Sequence, residues 1–462
     1  MFFKKIAIFF LISFSVSGVL AQKTSTEEKQ INEKTDNYLK QYFKENDPGG
    51  AVLIAKNNKI IYKKGFGIAD LEMNVANNPA TVFRLGSITK QFTAIAILQL
   101  VEKGKLSLQD SIQKFITDFS SKGHPITVEH LLTHTSGIKE FLTMDHSDPF
   151  VLRREFSPKE IIDFFMDEPL EFIPGSKYSY SNSGYIILGY IIENITGEPY
   201  AKYIGENLLQ PSGMKNTYYA DYRAVIPFRA KGYQVWNGKY GNSEFISMSI
   251  PYSAGGLLST VEDLFLWHNA LHNNQLLKKD LLEKAFTPYK LTNGDNAPYG
   301  FGWFLNNEIA GKKTIEHSGR ISGFNTTQIF IPEDNIFVAV LMNIEDHALL
   351  HNSQITAKDL SLLAMGKELE PKVKIGNEVM SSYTGEYKMK NSYRIATIKV
   401  EGNDLLFIEN NGKLLLIPES ETVFKVNGIK PEAMIEFFKE NDKPIKLVIS
   451  QSGILYEWMK IK

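Results

Sequence analysis

The sequence predicts an α/β (α+β) fold: an antiparallel sheet flanked by helices, then a small C-terminal domain of antiparallel strands. Three observations carry this. Strand-like apolar runs stand near both ends of residues 22–365, with helical patterns between them. One antiparallel sheet assembled from both ends, with helices packed on its faces, satisfies that order. Beyond a charged segment at 366–378, the pattern changes to short strand-like runs separated by turn signals. Finally, 462 residues that are 43% hydrophobic and 22% charged have globular composition and enough length for more than one domain.

The elements follow in order. Lys4 and Lys5 precede an apolar run from Ile6 to Leu20, and Val19 and Ala21 are the small residues a signal peptidase reads. Residues 1–21 are therefore expected to be a signal peptide cleaved after Ala21, because the run is short for a span of about 20 residues. Export to the periplasm or the medium follows. Residues 22–47 form a polar helix with Ile31, Tyr38, Leu39, Tyr42 and Phe43 on one side. In GGAVLIAKNNKIIYKKGFG, two short strands meet at Asn57-Asn58, a hairpin signal. Helices and loops with Gly and Pro breaks fill 105–300. Strand patterns return in PYGFGWFLNN and KKTIEHSGRISGFNTTQIFIPEDNIFVAVLMN, the last two runs joined around Pro332 to Asn335. The hydrolase-sized region ends at 365, and 366–378, with Pro371, reads as a linker. In 379–462, the runs TGEYKM, RIATIKV, DLLFIEN, KLLLIP, MIEFFKE, PIKLVIS and ILYEWMKI read as a small antiparallel barrel or sandwich.

Charge and cysteine content exclude several function classes. The net charge is −1, with no long run of either sign, so no nucleic-acid surface is expected. Without the leader it is near −3, and no later stretch is apolar enough for stable membrane insertion. The chain has no cysteine, which rules out disulfides, a cysteine nucleophile and a lipid-modified N-terminal cysteine.

The chemistry begins at residues 84–104, RLGSITKQFTAIAILQLVEKG. This helix is almost wholly apolar and is ended by Gly104. Its first turn nevertheless carries Ser87 and Lys90. Ser-x-x-Lys at a helix start puts both side chains on one face, a turn apart. Gly86 lets the chain turn tightly into it, and the helix dipole there favours negative charge. A serine hydroxyl is a poor nucleophile until a base takes its proton. A lysine in a water-poor site loses its own proton near neutral pH, so Lys90 can be that base. In GSKYSYSNSGYIILGYIIE, Tyr180 can bond Ser87 and Lys90 and pass a proton to a leaving group. Asn182 can bind a substrate carbonyl and the lysine. In IEHSGRISGF, His317 lies where a strand begins and Gly319 lets another backbone approach. Each motif alone has a plainer reading: a helix cap with a solvated lysine, a capping loop, a half-exposed edge histidine.

Together the three motifs resemble the serine beta-lactamase and penicillin-binding-protein superfamily, in which Ser-x-x-Lys, Tyr-x-Asn and a Lys-Thr-Gly-type strand line one cleft. The resemblance extends through FRLGSITKQFTAIAILQLVEKGKLSLQDSI, ITVEHLLTHTSGI, YSNSGYIILGYIIE, SAGGLLSTVEDLFLW and YGFGWFL, and covers about residues 30–365. It implies acyl transfer through Ser87. Lys90 and Tyr180 share proton handling, and Asn182 orients substrate. The backbone N–H groups of Ser87 and Arg320, the latter following Gly319, hold the carbonyl oxygen. His317 stands where many relatives have lysine, so a substrate carboxylate loses a permanent cation there; whether Arg320 replaces it is open. The region 379–462 is similar to the lipocalin-like β-barrel appended to some of these hydrolases.

The function this implies is an exported serine hydrolase for small amides or esters. D-residue peptides are the foremost substrates, with DD-carboxypeptidase- or D-aminopeptidase-like action. No cofactor is expected. Alternatives are a carboxylesterase of the same family, a non-catalytic penicillin-binding or sensing module, and a scaffold whose functional part is the C-terminal domain. The expected partner is a small-molecule or peptide substrate, and oligomeric state is left open. His130 with His134, and His268 with His272, have the i,i+4 spacing of a metal grip. No His-Glu-x-x-His motif or third ligand accompanies them, so structural roles are expected. The sequence also lacks Gly-x-Ser-x-Gly, a phosphate loop and a dinucleotide fingerprint.

Overall fold

The structure is a computed structural model that describes residues 27–462 apart from 121, 145–149, 237–238, 346–351, 370–372, 374, 391, 410–411, 428, 430–432 and 452–453. The expected signal peptide and Pro371 lie outside the described residues. The chain divides into two compact units, one reaching Glu345 and including Thr356–Lys367, the other containing Glu368–Lys462.

The first unit begins with helix α1 (27–42), whose Ile31, Tyr38 and Leu39 are buried. Strands β1 (Gly50–Lys56) and β2 (Lys59–Phe66) follow as an antiparallel hairpin. Asn57 and Asn58 both adopt positive φ, +53° and +60°, the left-handed pair a tight two-residue hairpin requires. Helix α2 (Thr89–Glu102), helix α3 (Asn182–Thr196) and helix α4 (Val261–His272) come next. The chain then returns to the sheet as β3 (Ile315–Ile321), β4 (Phe324–Ile331) and β5 (Ile336–Met342), and helix α5 (Ser353–Ala364) follows. The five strands pair antiparallel in the order β3-β4-β5-β1-β2. The sheet is thus built from both ends of the unit.

The central strands β1 and β5 are continuous apolar runs because both faces are covered. Leu53, Ala55, Phe337, Ala339 and Leu341 join the main core cluster with Phe92, Ile95 and Leu98 of α2. The oppositely directed Val52, Ile54, Val338 and Val340 are equally buried. Tyr38 on α1 donates to Asp359 on α5 at 2.7 Å, joining the unit's first and last helices. Thr89–Leu100 of α2 are all buried, so this helix has no polar stripe to present to water. Gly104, at φ +64°, ends it.

The second unit is a closed antiparallel barrel of eight strands, from Gly385–Met389 to Ile454–Lys460. Seven correspond to the runs read in the sequence. The eighth, Val423–Val426, was not read, because four residues with only Phe424 and Val426 buried are too few to show a period. Tyr387, Phe407, Phe424, Phe437, Leu447 and Trp458 belong to the cluster that fills the barrel, as expected for eight strands. Helix Asn377–Ser382 brings Met380 and the following Tyr383 to the same cluster, with Tyr383 stacked on Phe437 at 4.1 Å. The segment read as a linker therefore ends in helix, where Met380 finds an apolar interior. Among the described residues no helix is long and apolar enough to cross a membrane.

Candidate active site

The site is assembled where α2 begins against the edge strand β3. Ser87 lies in a 3-10 turn, Gly86–Ile88, that runs into α2. Gly86 has φ +54°, and a Cβ there would lie 2.8 Å from the Arg320 nitrogen. A Cβ on Gly319 would lie 1.8 Å from the Leu85 carbonyl oxygen. Neither glycine tolerates a side chain, because the serine turn rests directly on the strand edge. Thr326 on β4 fixes that contact by donating to the Leu85 carbonyl at 2.7 Å. On β3, Glu316 exchanges backbone bonds with Phe304 across the open edge. By the two-residue period of a strand, the Arg320 N–H leaves on that same edge, beside Gly86.

Lys90 sits one turn on, fully buried, whereas Ser87 is half-buried. Its Nζ lies 3.1 Å from Ser87 Oγ, 2.7 Å from Asn182 Oδ1 and 2.9 Å from the Ala254 carbonyl. Burial draws its pKa down to about 7, with the Glu140 carboxylate opposing. This arrangement distinguishes the two protonation states. An ammonium donates to all three oxygens. A neutral amine has two hydrogens, which Asn182 and Ala254 occupy as obligatory acceptors, and its lone pair is then left for the Ser87 hydroxyl.

Asn182 opens α3 and is held by an acid that sequence reasoning missed. Glu140 accepts from the Asn182 backbone N–H and, at 3.2 Å, from Nδ2. The amide nitrogen therefore faces Glu140 and the amide oxygen faces Lys90. Glu140 lies in the stretch 139–158, where no periodicity signals its position.

Tyr180 brings its half-buried ring within 4.8 Å of Lys90 Nζ. Its hydroxyl is buried without a hydrogen bond of good geometry. Burial pushes the phenol well above its ordinary pKa, an effect the nearby Ser87 hydroxyl only partly offsets. The phenol stays protonated, so the lysine is the group of the pair that readily changes charge. His134, read from sequence as scaffold, locks this loop. Its carbonyl accepts from Ser179 N–H at 2.9 Å and its Nδ1 from Ser181 N–H at 3.1 Å. His134, like His268, is buried, and burial depresses both pKa values well below the ordinary range. Among the described residues no cluster of three or more potential metal ligands occurs.

His317 does not have the half-exposed setting of the motif's plainer reading: it is 1% exposed. Its Nδ1 lies 2.6 Å from the Ser318 carbonyl and its Nε2 2.7 Å from the Tyr299 hydroxyl. A carbonyl can only accept, so Nδ1 carries the hydrogen and Nε2 accepts from Tyr299. Burial, with Lys90 adding to it, lowers the pKa to about 3. The ring is neutral, with both nitrogens occupied. Arg320 directs Nε to Glu345 at 2.8 Å.

The structure thus brings Ser87, Lys90, Tyr180 and Asn182 together and sets His317, Gly319 and Arg320 on the adjoining strand. A serine bonded to a buried, readily deprotonated amine, on a core helix against a sheet edge, defines a serine hydrolase of the active-serine type. The chain belongs to the Beta-lactamase family, whose profile matches residues 35–361. It is similar to penicillin-binding protein 4* of Bacillus subtilis strain 168, with 28% identity over 89% of this chain and 95% of that protein. It is also similar to the putative penicillin-binding protein PbpX of that strain, with 32% identity over 74% of this chain and 82% of the other. Among solved structures, the octameric penicillin-binding protein homologue from Pyrococcus abyssi aligns with a TM-score of 0.64 and 29% identity. That alignment covers 89% of this chain and 96% of that one.

Proposed function

We propose that this chain is an exported serine hydrolase that passes through an acyl-enzyme on Ser87. Its substrates are small amides or esters, D-residue peptides foremost. The observation that carries this reading is the 3.1 Å contact between Ser87 Oγ and a lysine amine whose other two neighbours are obligatory acceptors. In the proposed cycle, Ser87 Oγ attacks the substrate carbonyl as its proton passes to Lys90 Nζ. The oxyanion is held by the backbone N–H groups of Ser87 and Arg320; removing one such donor typically costs about 10²–10³ in rate. The proton then moves from Lys90, through the neutral Tyr180 phenol, to the departing amine or alkoxide as the C–N or C–O bond breaks. Water adds to the acyl ester, releases the acid and restores the serine. Every proton is returned, and only side chains, backbone and water take part.

Two relatives named as penicillin-binding proteins support β-lactams as acylating probes for this chain. Lys4, Lys5 and the apolar run after them support export. The test is labelling with a fluorescent fluorophosphonate, and with a fluorescent penicillin as a slower probe because its leaving side bears a carboxylate, followed by turnover of D-alanyl peptides and short p-nitrophenyl esters. Ser87→Ala abolishes label and turnover in a folded protein. Label that persists in that variant moves the nucleophile elsewhere and overturns the reading.

A further inference from the structure

We propose that this cleft selects acyl donors whose leaving side ends without charge, such as a carboxamide, an internal peptide bond or a neutral ester, against those ending in a free carboxylate. This rests on the reading of Ser87 as nucleophile. Three side chains of the described motifs could offer a cation to a carboxylate, and each is already committed. Lys90 is fully buried, with Ser87, Asn182 and Ala254 around its nitrogen. His317 is sealed between Ser318 and Tyr299, both ring nitrogens engaged. Arg320 is half exposed, but its guanidinium is tied to Glu345.

Glu345 is a built anchor. Its side chain is 11% exposed. One oxygen takes Arg320 Nε, and the other accepts the Gly323 N–H at 3.1 Å and Gln234 Nε2 at 2.8 Å. Although burial opposes its ionisation, bonds from Arg320 and the Gly323 N–H hold its carboxyl below the ordinary range. A substrate carboxylate that approaches Arg320 therefore meets a fixed anion beside the cation. On the facing wall stands a second carboxylate, Glu140, bonded to Asn182. Arg84, on the segment leading into the serine turn, lies over the Phe324 ring at 5.7 Å. Like charges brought together across an interface suppress the wrong partner, a repulsive form of specificity.

The experiment compares matched acyl donors on the full chain: an N-acetylated D-alanyl-D-alanine peptide as free acid and as carboxamide. A second pair of esters has 3-carboxyphenol or its carboxamide as leaving group. The neutral member is expected to have kcat/KM about tenfold or more above its acid, and the gap to narrow as salt screens the charges. Glu345→Gln, which removes the anion beside Arg320, narrows the gap further, chiefly through a lower KM for the acid. Equal or faster turnover of the acids overturns the selectivity while leaving Ser87 as the nucleophile. Failure of the fluorophosphonate to phosphonylate Ser87, with displacement of fluoride, overturns the reading beneath it and the selectivity with it.

Discussion

The cleft has two walls that bury ionisable groups in different ways. On the helix wall, Lys90 has no exposed surface, yet Glu140 is close enough to oppose the loss of its charge, and its pKa settles at about 7. On the strand wall, His317 is buried as deeply but faces a phenol and a carbonyl, and its pKa falls to about 3. Burial acts on both in the same direction. What differs most is the starting point: an ordinary lysine titrates far above an ordinary histidine, so falls of similar size leave one group poised near neutrality and take the other well below it, with Glu140 opposing the first fall and Lys90 adding to the second. The lysine of one wall can exchange protons at neutral pH, whereas the histidine of the other supplies fixed shape without charge.

The largest expected effect tests the helix wall. Lys90→Ala removes the base and should lower kcat/KM by about 10²–10⁴, the usual range for general-base catalysis. Circular dichroism should remain native. In the unaltered protein, kcat/KM should rise with pH through about 7, because the neutral amine that accumulates above that value is the active form. A mild effect of the substitution, or a flat profile from pH 5 to 9, would put the base elsewhere.

His317→Leu tests the strand wall and should be felt in stability before chemistry. It leaves the buried Tyr299 hydroxyl without its 2.7 Å acceptor. Orphaning such a group costs about 1–3 kcal/mol, measurable by urea unfolding. The midpoint near pH 7 in the rate profile should stay, since His317 is uncharged across that range. Loss of the midpoint in this variant would reverse the assignment of the two walls.

How much of this was legible follows from the physics of each element. The β1–β2 hairpin, the all-buried α2 and seven barrel strands announce themselves, because periodicity and turn residues are local properties. Ser87 and Lys90 stood out as polar residues in a helix with no polar face. Glu140, Tyr299 and Glu345 did not. They act through contacts with Asn182, His317 and Arg320 that span 42, 18 and 25 residues of chain. The depth of His317 is hidden from the sequence for the same reason. An edge strand reads as solvent-facing until the residues that close over it are known, here Phe304 and Tyr299.

The smallest expected effect addresses what the acid beside the helix wall adds to the poise of Lys90. Glu140→Gln keeps an oxygen able to accept from Asn182 and removes the negative charge. If that charge holds Lys90 near neutrality, its loss lets burial act unopposed, and the acid limb of kcat/KM moves to lower pH. Above pH 8, where the amine is neutral in both proteins, the rates should stay within a few-fold of each other. Glu140→Ala separates charge from positioning. It removes both bonds to Asn182, so it should also lower the plateau by freeing the amide to turn its nitrogen toward Lys90. A limb that stays in place in Glu140→Gln would mean that burial sets the lysine's pKa without a contribution from the acid beside it.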